Sequence, residues 1–371
     1  MDNQGALPSQ ILRHFASSGV ITSTQKLTDT TIQPSSFDLS LGDEAYEVEG
    51  SILPVIGRTP LSALLADPTF VKQKMNVGDG LKLERKKIYI IKLQQSLQLP
   101  HGICGIANPK SSAGRIDLQV RLLAHESGEF DVVPSGFTGE LYVEVSAKSM
   151  DIVVHQGDGV NQLRLFNNIE MLNDKEIAYM YDKHLLLLDS KDRAIRRDQY
   201  TIHERGLRMT VNLEGDGVVG YILKQDAPVL DISLIRHYAV EDFWEPIYAP
   251  KNGRLKLEQD RFYILRTREK IRVPMELCCE MLPYDARVGN FRSHYAGFFD
   301  PGFGYGANGE VQGAHAVLEV RPHDENIVLT HGQPICKMVF WRNAEIPDVA
   351  YDVQVKSNYQ GQSLKLAKFF K

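Results

Sequence analysis

The strongest constraint on this chain is that it repeats itself. Residues 81–92 read L-K-L-E-R-K-K-I-Y-I-I-K, and residues 255–266 read L-K-L-E-Q-D-R-F-Y-I-L-R. A proline follows each run, Pro100 after L-Q-L and Pro274 after I-R-V; 255 − 81 and 274 − 100 both give 174. A second pair agrees: H-Q-G-D-G-V-N-Q-L-R-L-F at 155–166 parallels T-H-G-Q-P-I-C-K-M-V-F at 330–340, a turn feeding a strand each time. Self-similarity at one offset means one structural unit used twice. The repeated runs alternate apolar and polar residues, the period of a half-buried strand. Both halves have short alternating segments, frequent glycine and proline, and little helical periodicity. The expected fold is therefore all-β, a sandwich or barrel in each module, with a few short helices.

The 371 residues leave room for two modules. The first is expected over 1–170, a connector over 171–214 and the second over 215–371. The connector interleaves acids and bases, as in D-S-K-D-R-A-I-R-R-D-Q at 189–199, and reads as a solvated linker with a short helix. A helix is expected over 8–20, capped by Ser9 and ended by Gly19. Residues 32–42, I-Q-P-S-S-F-D-L-S-L-G, read as a strand stopped by Gly42. A net charge of −5 argues against nonspecific nucleic-acid binding. No apolar run has membrane-spanning length. Cys104, Cys278, Cys279 and Cys336 match no zinc spacing, and no signal peptide is apparent, so a reduced, cytoplasmic setting is expected.

Two stretches carry chemistry. In residues 295–320 an acid, Asp300, precedes a Pro-Gly corner, where its side chain can face a ligand. Further on, Glu319 stands among Val317, Leu318 and Val320. Such a carboxylate is either a paired structural acid or a general base in a dry pocket, and the residues alone put the structural reading first. The other stretch, N-P-K-S-S-A-G-R-I-D-L at 108–118, crowds Lys110, Ser111, Ser112, Ala113, Gly114 and Arg115 together. Its donors suit a polyanion, and it reads equally as a polar turn.

Taken together, residues 295–303 followed by V-L-E, the segment 108–115 and the tail 351–362 resemble the dCTP deaminase family, relatives of the trimeric dUTPases. One departure is an insertion of about nine glycine-rich residues between Phe303 and Ala314, which lengthens a hairpin. The resemblance implies a distorted jelly roll, or β-clip, in each dUTPase-like module. It implies Glu319 as catalytic acid/base, with Ser111 and Arg115 in the catalytic centre. Lys110, in place of the family's arginine, would bind substrate with Ser112, Ala113 and Gly114. Ala296, Asp300, Val317 and Leu318 would hold the nucleoside, with Asp300 on the sugar. The polar tail would be a lid whose Tyr351, Asn358 and Gln362 contact the ligand; Asn358 replaces a family lysine, and Lys356 stands nearby. Because the tail is polar and follows the last repeat strand, deletion of 351–371 is expected to leave both modules folded.

The two copies are degraded in complementary ways. The second shows L-P-Y-D-A-R-V-G at 282–289, keeping Arg287 but losing the serine pair. The first places Glu144 where the catalytic glutamate would stand, and offers only Asp131 as a loose counterpart of the corner acid. Each site would then join Lys110–Arg115 of a first module to Ala296, Asp300 and Glu319 of a second, giving one site per chain. The implied reaction is hydrolytic deamination of dCTP to dUTP and ammonia. The H-x-E and P-C-x-x-C signature of zinc deaminases is missing. Mg2+ would arrive on the substrate triphosphate, with no zinc and no protein metal site. A homotrimer is implied, with dTTP as a candidate feedback inhibitor. The alternatives are a dUTPase or bifunctional enzyme, and a non-catalytic nucleotide-binding regulator.

Overall fold

The structure is a computed structural model that describes residues 4–56, 60–78, 80–125, 127–283, 291–294, 297–351 and 364–371. Ala296, Asn358 and Gln362 lie outside the described residues, as do Arg287 and Lys356. The described chain is mostly β. No described helix is long and apolar enough to cross a membrane.

In the first half, strand Ile88–Gln98 lies between Phe37–Val48 and Thr138–Ala147, and Leu118–Ala124 pairs with the latter. Phe37–Val48 serves two partners. Its start pairs with Gly159–Phe166 and its end with Ile88–Gln98. Gly42 therefore marks a corner of a continuing strand rather than its stop. A Cβ there would lie 2.9 Å from the Lys92 carbonyl oxygen, so the corner needs glycine.

The pairing order recurs in the second half. Tyr263–Ile271 pairs with Val218–Leu223 and Ala314–Pro322, and Phe291–His294 flanks the latter. Pro334–Arg342 pairs with Leu207–Thr210 and Leu277–Pro283. Gly159–Phe166 likewise pairs with Phe37–Val48 and Cys104–Pro109. The repeated runs are not single strands, however. Each breaks at a left-handed residue, Lys86 (φ 68°) and Asp260 (φ 58°), at matching repeat positions. A buried tyrosine closes each turn: Tyr89 Oη accepts from the Glu84 amide at 3.1 Å, and Tyr263 Oη from the Glu258 amide at 2.8 Å. Neither turn contains glycine, so sequence patterning ran straight through both.

Three terminal and connecting features differ from expectation. Helix Ser9–Ser17 forms, but Pro8 precedes it and Ser9 makes no cap; its hydroxyl bonds Asp348 instead. The stretch 171–214 is more than a solvated linker. Its helix Asp174–His184 has an Asn173 capping box, and Leu172, Ile177, Met180 and Tyr181 join the second core. The C-terminal end is not frayed. Leu366, Ala367, Phe369 and Phe370 are buried in the first core beside Phe243, Trp244 and Phe262. The Phe369 carbonyl accepts from the His237 amide at 2.8 Å. Deletion of 351–371 would thus remove core side chains, which corrects the expectation that it would spare the fold.

Candidate active site

Residues 111–114 form a single helical turn between strands Cys104–Pro109 and Leu118–Ala124. Positions four apart share a face of that turn, and Ser111 and Arg115 line one pocket together. The opposite wall comes from the second half. In strand Ala314–Pro322 successive residues alternate faces. His315, Val317 and Glu319 line the pocket, whereas Ala316, Leu318 and Val320 enter the second core. Met281, Gly297, Phe298, Phe299, Phe303 and Tyr351 complete the lining. The open space is about 30 Å³. A cleft of about 610 Å³ lies elsewhere, along Arg13 to Ile32, but it holds no buried carboxyl. Chemistry, not size, selects the smaller pocket.

The two half-sites meet within one chain. Arg115 Nε lies 3.8 Å from Glu319 Oε1, and both side chains are almost wholly buried. Arg115 Nη1 also donates to the Lys365 carbonyl at 2.8 Å, so the docked C-terminal segment helps orient it. Burial pushes the Glu319 carboxyl up to about 8, against the pull of the Arg115 guanidinium. Its Oε2 has no hydrogen-bond partner among the described residues. A buried polar atom left without a partner is costly, and a substrate or water could satisfy it. Burial lowers His315 to about 4, so its ring is neutral; Nδ1 bonds the Thr267 carbonyl at 2.9 Å.

Several expected residues sit elsewhere. Asp300 does not line the pocket. It is buried, accepting from Ser35 at 2.9 Å, Ser36 at 3.0 Å and Arg164 at 2.7 Å. Arg164 itself stacks on the Phe298 ring. The corner acid thus locks the nucleoside hairpin to the first half, and its oxygens are already occupied. Lys110 is ion-paired with Asp38. Ser112 and Ala113 face a separate small cavity with Asp158, Gly159 and Lys368, behind the turn. Gly114 is buried, its amide bonding the Lys110 carbonyl. Leu318 points into the second core. Of the expected set, the pocket gathers Ser111, Arg115, Val317, Glu319 and Tyr351. Sequence reasoning missed His315, which strand alternation from Glu319 would have found.

The two halves approach closely at Gly297 in the pocket wall. A Cβ added there would lie 2.9 Å from Ser111 Oγ and 3.3 Å from the Pro109 carbonyl oxygen. Gly297→Ala is therefore expected to push the serine turn off the hairpin. A displacement of about 1 Å costs roughly a hundredfold in turnover. Unchanged turnover in steady-state assays would show that the turn has room to yield.

The first half contains the mirror image of the site. Glu144 pairs with Ile90 as Glu319 pairs with Ile264, at matching repeat positions. Glu144 is buried too, and burial raises its carboxyl. Yet Ser51 Oγ donates to its Oε1 at 3.0 Å, while Oε2 has no hydrogen-bond partner among the described residues. Ser51 therefore already takes up one oxygen that a ligand would need. Asp131 is a turn residue at φ 63°, bonded to the Leu122 amide and to Arg121.

The family model for the N-terminal domain of 2′-deoxycytidine 5′-triphosphate deaminase matches residues 3–169, and that for its C-terminal domain matches residues 173–370. The chain belongs to the dCTP deaminase family. The crystal structure of the dCTP deaminase from Agrobacterium tumefaciens is similar at 35% identity and a TM-score of 0.85, covering 95% of this chain and 99% of that one. A dUTPase of Staphylococcus bacteriophage 80alpha overlaps 24% of this chain and 70% of its own, at 15% identity and a TM-score of 0.20, too distant to bear on the fold. No curated protein matches the chain. Membership accords with the all-β fold read from the repeat and with the dUTPase-like modules that the resemblance implied.

Proposed function

We propose that the chain deaminates dCTP to dUTP and ammonia, with Glu319 as the proton carrier. One observation supports this above the rest: a buried carboxyl with an unpartnered oxygen faces Arg115 and Ser111 inside one pocket. Glu319 takes a proton from water as the oxygen bonds to C4 of the cytosine ring, and passes it to N3. The C4–N4 bond then breaks; N4 takes a proton and leaves as ammonia, and loss of the remaining hydroxyl proton gives the 4-oxo ring. Ser111 holds the water, and Arg115 offsets charge developing on the intermediate. His315 and Val317, on the same strand face, lie along the nucleoside. Mg2+ arrives with the triphosphate, held mainly by phosphate oxygens. Among the described residues no group of three or more His, Cys, Asp or Glu could cage a metal.

The chain would descend from duplication of one module, with one working site per chain in a closed trimer. It would act in the cytoplasm, where its four free cysteines stay reduced. dTTP would compete as a feedback inhibitor. Product analysis tests the reaction: ammonia with dUTP is expected. No ammonia from dCTP, with pyrophosphate and dUMP released when dUTP is supplied instead, would point to a dUTPase.

Stoichiometry tests the single site. Calorimetry of dCTP binding to a Glu319→Gln chain should saturate at one nucleotide per chain, because Ser51 already bonds Glu144 and the serine pair at 111–112 has no counterpart at 282–289. Glu144→Gln should keep the parent's turnover, because Glu144 lies outside the pocket that holds Glu319. Mixing Ser111→Ala chains with Glu319→Gln chains should restore nothing, since both halves of a site lie in one chain. Saturation at two equivalents would overturn the asymmetric arrangement.

A further inference from the structure

Three buried contacts between a carboxyl and a guanidinium cross between the halves. Arg115 faces Glu319, Arg164 holds Asp300, and Asp117 holds Arg321. The last pair repeats the first with its charges exchanged. Asp117 stands two residues after Arg115, and Arg321 two residues after Glu319. Residues two apart in a strand share a face, so Glu319 and Arg321 project from the same side of Ala314–Pro322.

Asp117 is well placed to act as a pin. It leaves the serine turn in a left-handed conformation, φ 58°, with its amide on the Gly114 carbonyl at 3.0 Å. Aspartate tolerates that conformation better than most residues. Its side chain is fully buried. Ser149 Oγ donates to its Oδ2 at 2.6 Å and in turn accepts from Arg321. Arg321 Nη1 reaches on to the Asp260 carbonyl at 2.6 Å.

We infer that Asp117 and Arg321 are a positioning pair that fixes the register of Arg115 against Glu319. This deepens the proposed deaminase reading and rests on it. Arg115 and Glu319 are separated by about two hundred residues of chain, so connectivity alone cannot hold them together. A buried ion pair adds little net stability, because desolvation offsets its attraction, but a mispaired one leaves buried charges uncompensated. A slip by one same-face step would set Arg115 against Arg321, or Asp117 against Glu319. The first slip sets cation against cation in a dry seam; the second leaves buried Asp117 against another carboxyl and without its cation. The exchanged polarity therefore admits one register only.

The test is steady-state turnover of dCTP by the full chain and four variants, each checked by thermal melting. Asp117→Asn, which also tolerates the left-handed turn, and Arg321→Gln should each lose about tenfold to a hundredfold in kcat. KM should stay within about threefold, because the residues lining the pocket are intact. Arg321→Lys keeps the charge and should recover part of the loss. Should the charge-removing variants fail to fold, Ser149→Ala decides, since it keeps both charges and removes only the bridging hydroxyl. It should lower kcat a few-fold at unchanged KM. A kcat equal to the parent's in Asp117→Asn, or in Ser149→Ala where the former does not fold, would overturn the pin. So would a loss confined to KM. The parent chain run alongside separates the two claims: no ammonia from the parent overturns the deaminase reading and the pin with it, whereas an active parent with unaffected variants overturns the pin alone.

Discussion

Glu319→Gln is expected to cut ammonia release from dCTP by at least about a hundredfold, the scale of a lost general base, while binding of dCTP persists. Glutamine keeps the shape and loses the titrating proton. In the parent, kcat/KM should climb with pH toward an inflection near 8, where burial has placed the Glu319 carboxyl. The residual activity of the variant should lack that inflection. Stability should move the other way. Glu319 keeps its proton to about pH 8 in the folded chain, against an ordinary value of 4.5. Folding therefore takes up a proton between those values. The stabilisation is complete below pH 4.5 and is lost as pH rises through 8. Glutamine cannot ionise and escapes the loss, which is on the order of a few kcal/mol. The variant should melt above the parent at pH 8.5 and together with it near pH 4.5. A variant that releases ammonia at the parent's rate would move attention to Glu144. Melting curves that stay parallel across pH would mean that Glu319 is ionised in the resting chain.

Deleting residues 364–371 is expected to damage the fold and not merely the site. Leu366, Phe369 and Phe370 are at most 8% exposed. Phe370 packs edge-on against Phe243 and Trp244, with ring centroids 5.3 Å and 6.0 Å apart. Burying such side chains contributes about 1.5–3 kcal/mol each. Their joint loss approaches the whole stability of an ordinary domain, roughly 5–15 kcal/mol. The truncated chain should melt at least about ten degrees lower or fail to accumulate as soluble protein. Phe369→Ala alone should cost about 3–5 kcal/mol. Activity should fall in the truncated chain, because Arg115 loses the Lys365 carbonyl that orients it. A truncated chain that melts like the parent would mean that the segment merely rests on the surface.

Much of this protein was legible without coordinates. The offset between Leu81 and Leu255 foretold two similar all-β halves, because strand alternation and turn composition are written in neighbouring residues. Glu319, Ser111 and Arg115 were singled out by the family resemblance rather than by type and setting, and the pocket gathers all three. What the sequence could not convey was which distant groups meet. Asp300 reads as a ligand-facing acid at a corner; only the fold brings Ser35, Ser36 and Arg164 to both its oxygens. The tail from residue 351 reads as polar and Gly-containing, yet Leu366, Ala367, Phe369 and Phe370 at its end find a gap among Phe243, Trp244 and Phe262. Lys86 and Asp260 break strands without glycine, because a tyrosine hydroxyl from beyond the turn satisfies the amide. Local pattern selects strand, turn and residue chemistry. Burial, and with it the high pKa of Glu319, comes from contacts hundreds of residues apart, and those exist only once the two halves have packed.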